Sequence, residues 1–168
     1  MSPRVSIIMG STSDLPVMEK AAKVLDEWQI PFEICALSAH RTPRQVEEFA
    51  LNSKSRGVEV IIAAAGMAAA LPGVIAANTT LPVIGVPIKG SALDGMDALL
   101  SIVQMPPGIP VATVAINGAM NAAILAIQIM ANGDKDLADK LEQYKETLKD
   151  KIVKANAELS EVKYKFKV

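Results

Sequence analysis

Five short apolar runs, separated by amphipathic stretches, limit what this chain can fold into more than any other feature. They read "RVSIIMG" (Arg4 to Gly10), "FEICAL" (Phe32 to Leu37), "VEVIIAA" (Val58 to Ala64), "PVIGVP" (Pro82 to Pro87) and "VATVAI" (Val111 to Ile116). Several lack the in-out alternation of a half-exposed strand, which is the pattern of strands covered on both faces of a parallel sheet. Between them, apolar residues recur at helical spacing. Val17, Ala21, Val24, Leu25 and Trp28 share one face of a first helix, and Val46, Phe49 and Ala50 mark a second. A third helix starts near Leu71, a fourth covers Leu93 to Gln104, and a fifth runs from Ala119 to Ala131. Five β-α repeats predict an α/β fold of three α-β-α layers. Its centre is a right-handed, doubly wound, five-stranded parallel sheet of flavodoxin-like or Rossmann-like kind.

The last segment differs. About half of the chain's charges lie from Asp134 onward, yet Leu137, Leu141, Tyr144, Leu148, Ile152, Ala155 and Leu159 keep a spacing of three or four. That pattern predicts a long C-terminal helix over 134–160 with one apolar seam, which must dock on its own domain or on a neighbouring subunit. No linker or low-complexity tract divides the sequence, so 1–168 is expected to form one domain.

Composition narrows the function classes. The 168 residues carry a net charge of −1, which argues against a nucleic-acid partner, whose binders concentrate basic residues. The chain is 51% hydrophobic but only 4% aromatic, so small side chains dominate. Apolar surface in excess of one core points to subunit contacts. The single cysteine, Cys35, reads as a buried small hydrophobe, and without an internal disulfide a reducing, cytoplasmic setting fits. The N-terminal "MSPRVSIIMGSTSD" holds too short an apolar stretch for a signal peptide. The charge-free stretch from Val60 to Ala77 raises a membrane-spanning reading, but Pro72-Gly73 breaks it into two buried elements.

Residues that can do chemistry gather where strands give way to helices, which is where open α/β sheets bind ligands. In "MGSTSDLP", Ser11, Thr12 and Ser13 set hydroxyls beside the free amides of a helix start, an arrangement suited to phosphate. Asp14 would repel a phosphate but accept hydrogen bonds from ribose hydroxyls. The competing reading is that Ser13 or Asp14 merely caps the helix. The loop "SAHRTP", from Ser38, holds the chain's sole histidine, His40, beside Arg41. Arginine clamps phosphate or carboxylate bidentately, and histidine exchanges protons near neutral pH. The loop "AAAGMAAALPG" has no acid, base or nucleophile; it offers backbone, with Gly66 giving access. Lys89 can meet an anion, although a lone lysine is usually only solvated. Trp28 reads as core, and no cluster has metal-ligand spacing.

Taken in order, "GSTSDLPVM", "SAHRTP", "GMAAALPG", "LPVIGVP", "LDGMDALLSIVQMPPGIPVATVAI" and "NAAILA" resemble the class I N5-carboxyaminoimidazole ribonucleotide mutases, the PurE family of purine biosynthesis. The resemblance spans nearly the whole chain. It implies an isomerase that needs neither metal nor organic cofactor, moving the carbamate CO2 from the exocyclic nitrogen to ring carbon 4. By position it implies His40 as the general acid and base. Ser11 and Arg41 would bind the phosphate and Asp14 the ribose. Backbone in the Gly66 loop would enclose the imidazole and the captive CO2, and Ser13, Ser38, Met67, Ala70 and Leu71 would also touch the substrate. It further implies a homo-octamer. One departure stands out: the family usually has histidine where this chain has Ala70, which predicts weakened turnover with binding retained. Three other readings compete. They are a class II-like carboxylase using free CO2, a catalytically impaired mononucleotide-binding variant, and a flavin carrier, which the lack of aromatic residues in the loops disfavours.

Overall fold

The computed structural model describes residues 2–168. Its strands are β1 (Val5–Met9), β2 (Phe32–Ala36), β3 (Val60–Gly66), β4 (Val83–Ile88) and β5 (Ala112–Thr113). The helices are α1 (Leu15–Glu27), α2 (Pro43–Ser53), α3 (Leu71–Ala77), α4 (Met96–Val103), α5 (Ala119–Ala131) and α6 (Lys135–Glu161). The strands form one parallel sheet in the order β2-β1-β3-β4-β5. Ile7 of β1 stands level with Ile34 of β2 and Ile62 of β3. Strand order reverses between β1 and β3, and a crevice opens at the carboxyl ends of the strands at such a switch point.

The apolar runs become strands because both of their faces are covered. Every residue of β1 and β4 is buried, as are Val60 to Ala65 of β3. On one face Ile8, Ile61, Ala63, Ala65 and Val83 pack with Val46 and Ala50 of α2, Leu71 and Ile75 of α3, and Ala98 and Ile102 of α4. The handedness of parallel crossovers puts α1 on the other face, where it buries Met18, Ala21, Val24 and Leu25. Gly85 allows the close approach of α4 to the sheet. A Cβ there would lie 2.4 Å from Cγ2 of Ile102 and 2.9 Å from Cγ1 of Val111.

Two strands depart from expectation. The edge strand β2 is half-exposed, with Ile34 45% accessible, since its outer side has no neighbouring strand. Cys35 is accordingly half-buried rather than buried. Burial first, and the nearby Glu33 second, push its thiol up to about 11 against the opposing pull of Arg56, so it is an unreactive thiol. β5 keeps only two paired residues. The carbonyl of Pro87 on β4 accepts from the Asn117 N–H at 2.8 Å, but proline has no N–H to continue the ladder on that side.

The chain divides into two compact units, one ending at Ile129 and the other covering Met130–Val168. In the second unit α6 starts where the seam predicts, with the Asp134 carboxylate capping it by accepting from the Leu137 N–H at 3.2 Å. Leu137 and Leu141 are buried, whereas Leu148, Ile152 and Leu159, further along the seam, are exposed. The stretch from Val60 to Ala77 forms β3, a loop and α3. Among the described residues no helix is long and apolar enough to cross a membrane.

Candidate active site

A cavity of about 490 Å³ opens at the switch point, within the size range of small-molecule sites. Four loops wall it, each leaving the carboxyl end of a strand. Ser11, Ser13 and Asp14 come from the loop after β1, and Ser38, His40 and Arg41 from the loop after β2. Gly66, Met67, Ala70 and Leu71 come from the loop after β3, and Lys89 follows β4. All ten residues that the family resemblance assigns to the site line this one space, whereas Thr12 does not.

The first loop is built as a tight turn. Ser11 caps a short 3-10 turn, Thr12–Asp14, its hydroxyl accepting from the Ser13 N–H at 3.3 Å. Asp14 occupies the N-cap position of α1 without a side-chain cap bond, so capping does not account for it. Its carboxylate accepts from the Ser13 hydroxyl at 3.2 Å, and the residue is only 8% exposed. Burial raises the Asp14 carboxyl above its ordinary value, with the Ser13 hydroxyl and a Ser11 backbone hydrogen bond opposing. Holding the ionised carboxylate there costs stability that further hydrogen-bond donors would restore.

The second loop is wound on itself. The Ser38 N–H donates to the Thr42 hydroxyl at 2.9 Å, which donates back to the Ser38 carbonyl at 3.0 Å. The Arg41 N–H donates to the Ser38 hydroxyl at 3.2 Å, and the Arg41 guanidinium donates to the Gly10 carbonyl at 3.2 Å. These bonds turn Arg41 toward the serine loop and leave the His40 side chain exposed at the cavity.

The third loop contributes shape instead of charge. Met67 and Ala69 take left-handed φ of 55° and 36°, a conformation costing non-glycine residues on the order of 1–3 kcal/mol each. Gly66, expected to give a ligand access to the backbone, lines the cavity. It ends β3 without a positive φ, and a Cβ there would make ordinary contact with Ile88. The turn is made by Met67 and Ala69, residues whose types gave no signal of it. Ala70 is the N-cap of α3 in ordinary right-handed conformation, and its methyl group leaves the cavity wall apolar. Lys89, the residue that sequence reasoning undervalued, brings a second fixed cation to the lining. Among the described residues no three His, Cys, Asp or Glu side chains converge as metal ligands would.

The family model of AIR carboxylase matches residues 4–151. The chain belongs to the AIR carboxylase family. A curated AIR carboxylase family relative from Pyrococcus abyssi, an N5-carboxyaminoimidazole ribonucleotide mutase, is 59% identical over 88% of this chain and 84% of its own. Another mutase of that name, from Thermotoga maritima, is 55% identical over 97% of this chain and 95% of its own. The crystal structure of Treponema denticola PurE2-S38D superposes with a TM-score of 0.86 at 32% identity, covering 95% of this chain and 99% of that one. The match therefore takes in all four loops that wall the cavity.

Proposed function

We propose that this chain is an N5-carboxyaminoimidazole ribonucleotide mutase, an isomerase of purine biosynthesis. The carrying observation is that one cavity combines an exposed imidazole, His40, with Ser11, Ser13 and Arg41 and with a wall nearly devoid of side-chain chemistry. The high identity of mutases over almost their whole length supports this reading over direct carboxylation of the uncarboxylated ribonucleotide.

In this reading Arg41 and the serine loop hold the 5′-phosphate, with charge-assisted bonds giving strength and direction. Asp14 accepts from the ribose hydroxyls. His40 donates a proton to the exocyclic nitrogen as the N–C bond of the carbamate breaks, releasing CO2 and leaving the ring electron-rich at carbon 4. Carbon 4 attacks the CO2, and the neutral His40 removes the ring proton, restoring both the aromatic ring and the protonated histidine. One imidazole thus serves both transfers. The CO2 carries no charge for the protein to grip, so a dry wall of Gly66, Met67, Ala70 and Leu71 confines it. The reaction draws on no metal or organic cofactor.

The homo-octameric state belongs to the same proposal, as does a cytoplasmic location. Met96, Leu100 and Val103 form an exposed apolar stripe on α4, and Leu148, Ile152 and Leu159 another on α6. Such stripes suit burial against copies of the chain, with α6 docking on its own domain or a neighbour's.

The test is an assay of the purified protein with N5-carboxyaminoimidazole ribonucleotide, following the carbon-4 carboxylated product, with His40→Asn alongside. Turnover by the parent and a loss of 10²–10⁴-fold in the variant is expected. A parent that turns over the uncarboxylated ribonucleotide plus CO2 but not this substrate would overturn the reading.

A further inference from the structure

We infer that Lys89 binds the substrate's migrating carboxylate, and that Asp94 is the competing partner which sets how tightly it does so. The inference rests on the mutase reading above. A substrate of that class carries two anionic ends, a phosphate and a carbamate carboxylate. Among the residues lining the cavity, the fixed cations are Arg41 and Lys89, one for each end. Arg41 leaves the loop after β2 and is turned by its bond to the Gly10 carbonyl toward the serine loop. Lys89 leaves the carboxyl end of β4. In the order β2-β1-β3-β4 the Gly10 carbonyl that holds the guanidinium follows β1, two spacings from β4, roughly 10 Å. The two cations therefore come from separate parts of the crevice rim, one on each side of β3.

The wall between them offers a carboxylate no side-chain donor. From Ala65 to Leu71 it is alanine, glycine, methionine and leucine, and His40 is committed to the proton. Lys89 is also built for exchange of partners. Its backbone is pinned on two sides: its N–H donates to Oδ1 of Asn117 at 2.9 Å, and Gly95 packs so closely that a Cβ there would lie 3.0 Å from the Lys89 Cα. Its ammonium, by contrast, is held among the described residues by Asp94 alone, at 2.9 Å, with the two side chains 56% and 80% exposed. Exposed pairs of this kind contribute little and are readily traded. Asp94 itself does not line the cavity and sits at a left-handed φ of 53°. A carboxylate inside the cavity, where water is scarcer, is the stronger partner for the same ammonium.

The experiment compares the affinities of the carbon-4 carboxylated ribonucleotide and its uncarboxylated counterpart by calorimetry. Lys89→Met should weaken the carboxylated ligand about tenfold, the scale of one charged hydrogen bond, and leave the uncarboxylated one within about twofold. Lys89→Arg should retain most of the discrimination. Asp94→Asn, which removes the competitor, should tighten the carboxylated ligand by about two- to fivefold. Equal weakening of both ligands by Lys89→Met, or no change in either, would overturn the assignment. Failure of the mutase reading shows separately, as a parent protein that forms no carbon-4 carboxylated product from N5-carboxyaminoimidazole ribonucleotide.

Discussion

The guanidinium of Arg41 donates to the carbonyl of Gly10 across 3.2 Å, joining the loop after β2 to the loop after β1. This single bond puts the arginine proposed to bind phosphate over the serine turn, although the two lie 31 positions apart in the chain. Arg41→Ala removes both the bond and the proposed phosphate partner. Steady-state kinetics should show KM for the ribonucleotide raised by about 10²-fold, the scale of a lost charged hydrogen-bond pair. Arg41→Lys, a point charge without the fork, should recover only part of it.

Ala70 has right-handed backbone angles that any residue can adopt, and its side chain faces the cavity. Ala70→His is therefore expected to fold normally and to raise kcat severalfold, because an imidazole there adds a hydrogen-bonding group to an apolar wall. A fall in kcat with unchanged substrate affinity would show instead that the cavity is fitted to alanine.

Asp14 ties function to stability through its pH dependence. Burial raises its folded-state pKa above the unfolded one, so the folded protein binds the proton more tightly. Its contribution is then fully present below the unfolded value and is lost as pH rises through the folded value. At neutral pH the ionised Asp14 weakens the fold. Asp14→Asn should raise Tm at pH 7, by roughly 2–4 °C for each kcal/mol regained, and the gain should vanish in acid. The same variant should bind ribonucleotide far more weakly. Thermal melts at two pH values, beside a binding titration, check both halves.

Gly85→Ala tests the contact between sheet and helix. The new methyl would lie 2.4 Å from Ile102 and 2.9 Å from Val111. Overpacking of this kind costs about 1–3 kcal/mol, and chemical denaturation should show that loss. Ile102→Ala, which removes the clashing Cγ2, should cost less when added to Gly85→Ala than it does in the parent.

Much of the site was readable before any coordinates, because active residues in a doubly wound sheet lie at the carboxyl ends of strands. "GSTSD" and "SAHRTP" follow strand-type runs, and Ser11, Asp14, His40 and Arg41 meet in one cavity accordingly. Lys89 was passed over because one lysine in a loop has no pattern to mark it. The left-handed Met67 and Ala69 were equally hidden. A strained φ on a non-glycine residue is imposed by the packing around it, not by its own preference.

The sequence by itself determined the types and order of the elements, the parallel sheet and the identity of the loops that carry chemistry. Those follow from hydrophobic period and from breaks in it, which are local properties of the chain. Tertiary structure alone decided the rest. It left β2 half-exposed at an edge, cut β5 to two residues beside Pro87, buried Asp14 and left Leu148, Ile152 and Leu159 open along α6. Burial, hydrogen-bond partners and pKa depend on residues distant in sequence, and a local pattern cannot report which of those become neighbours.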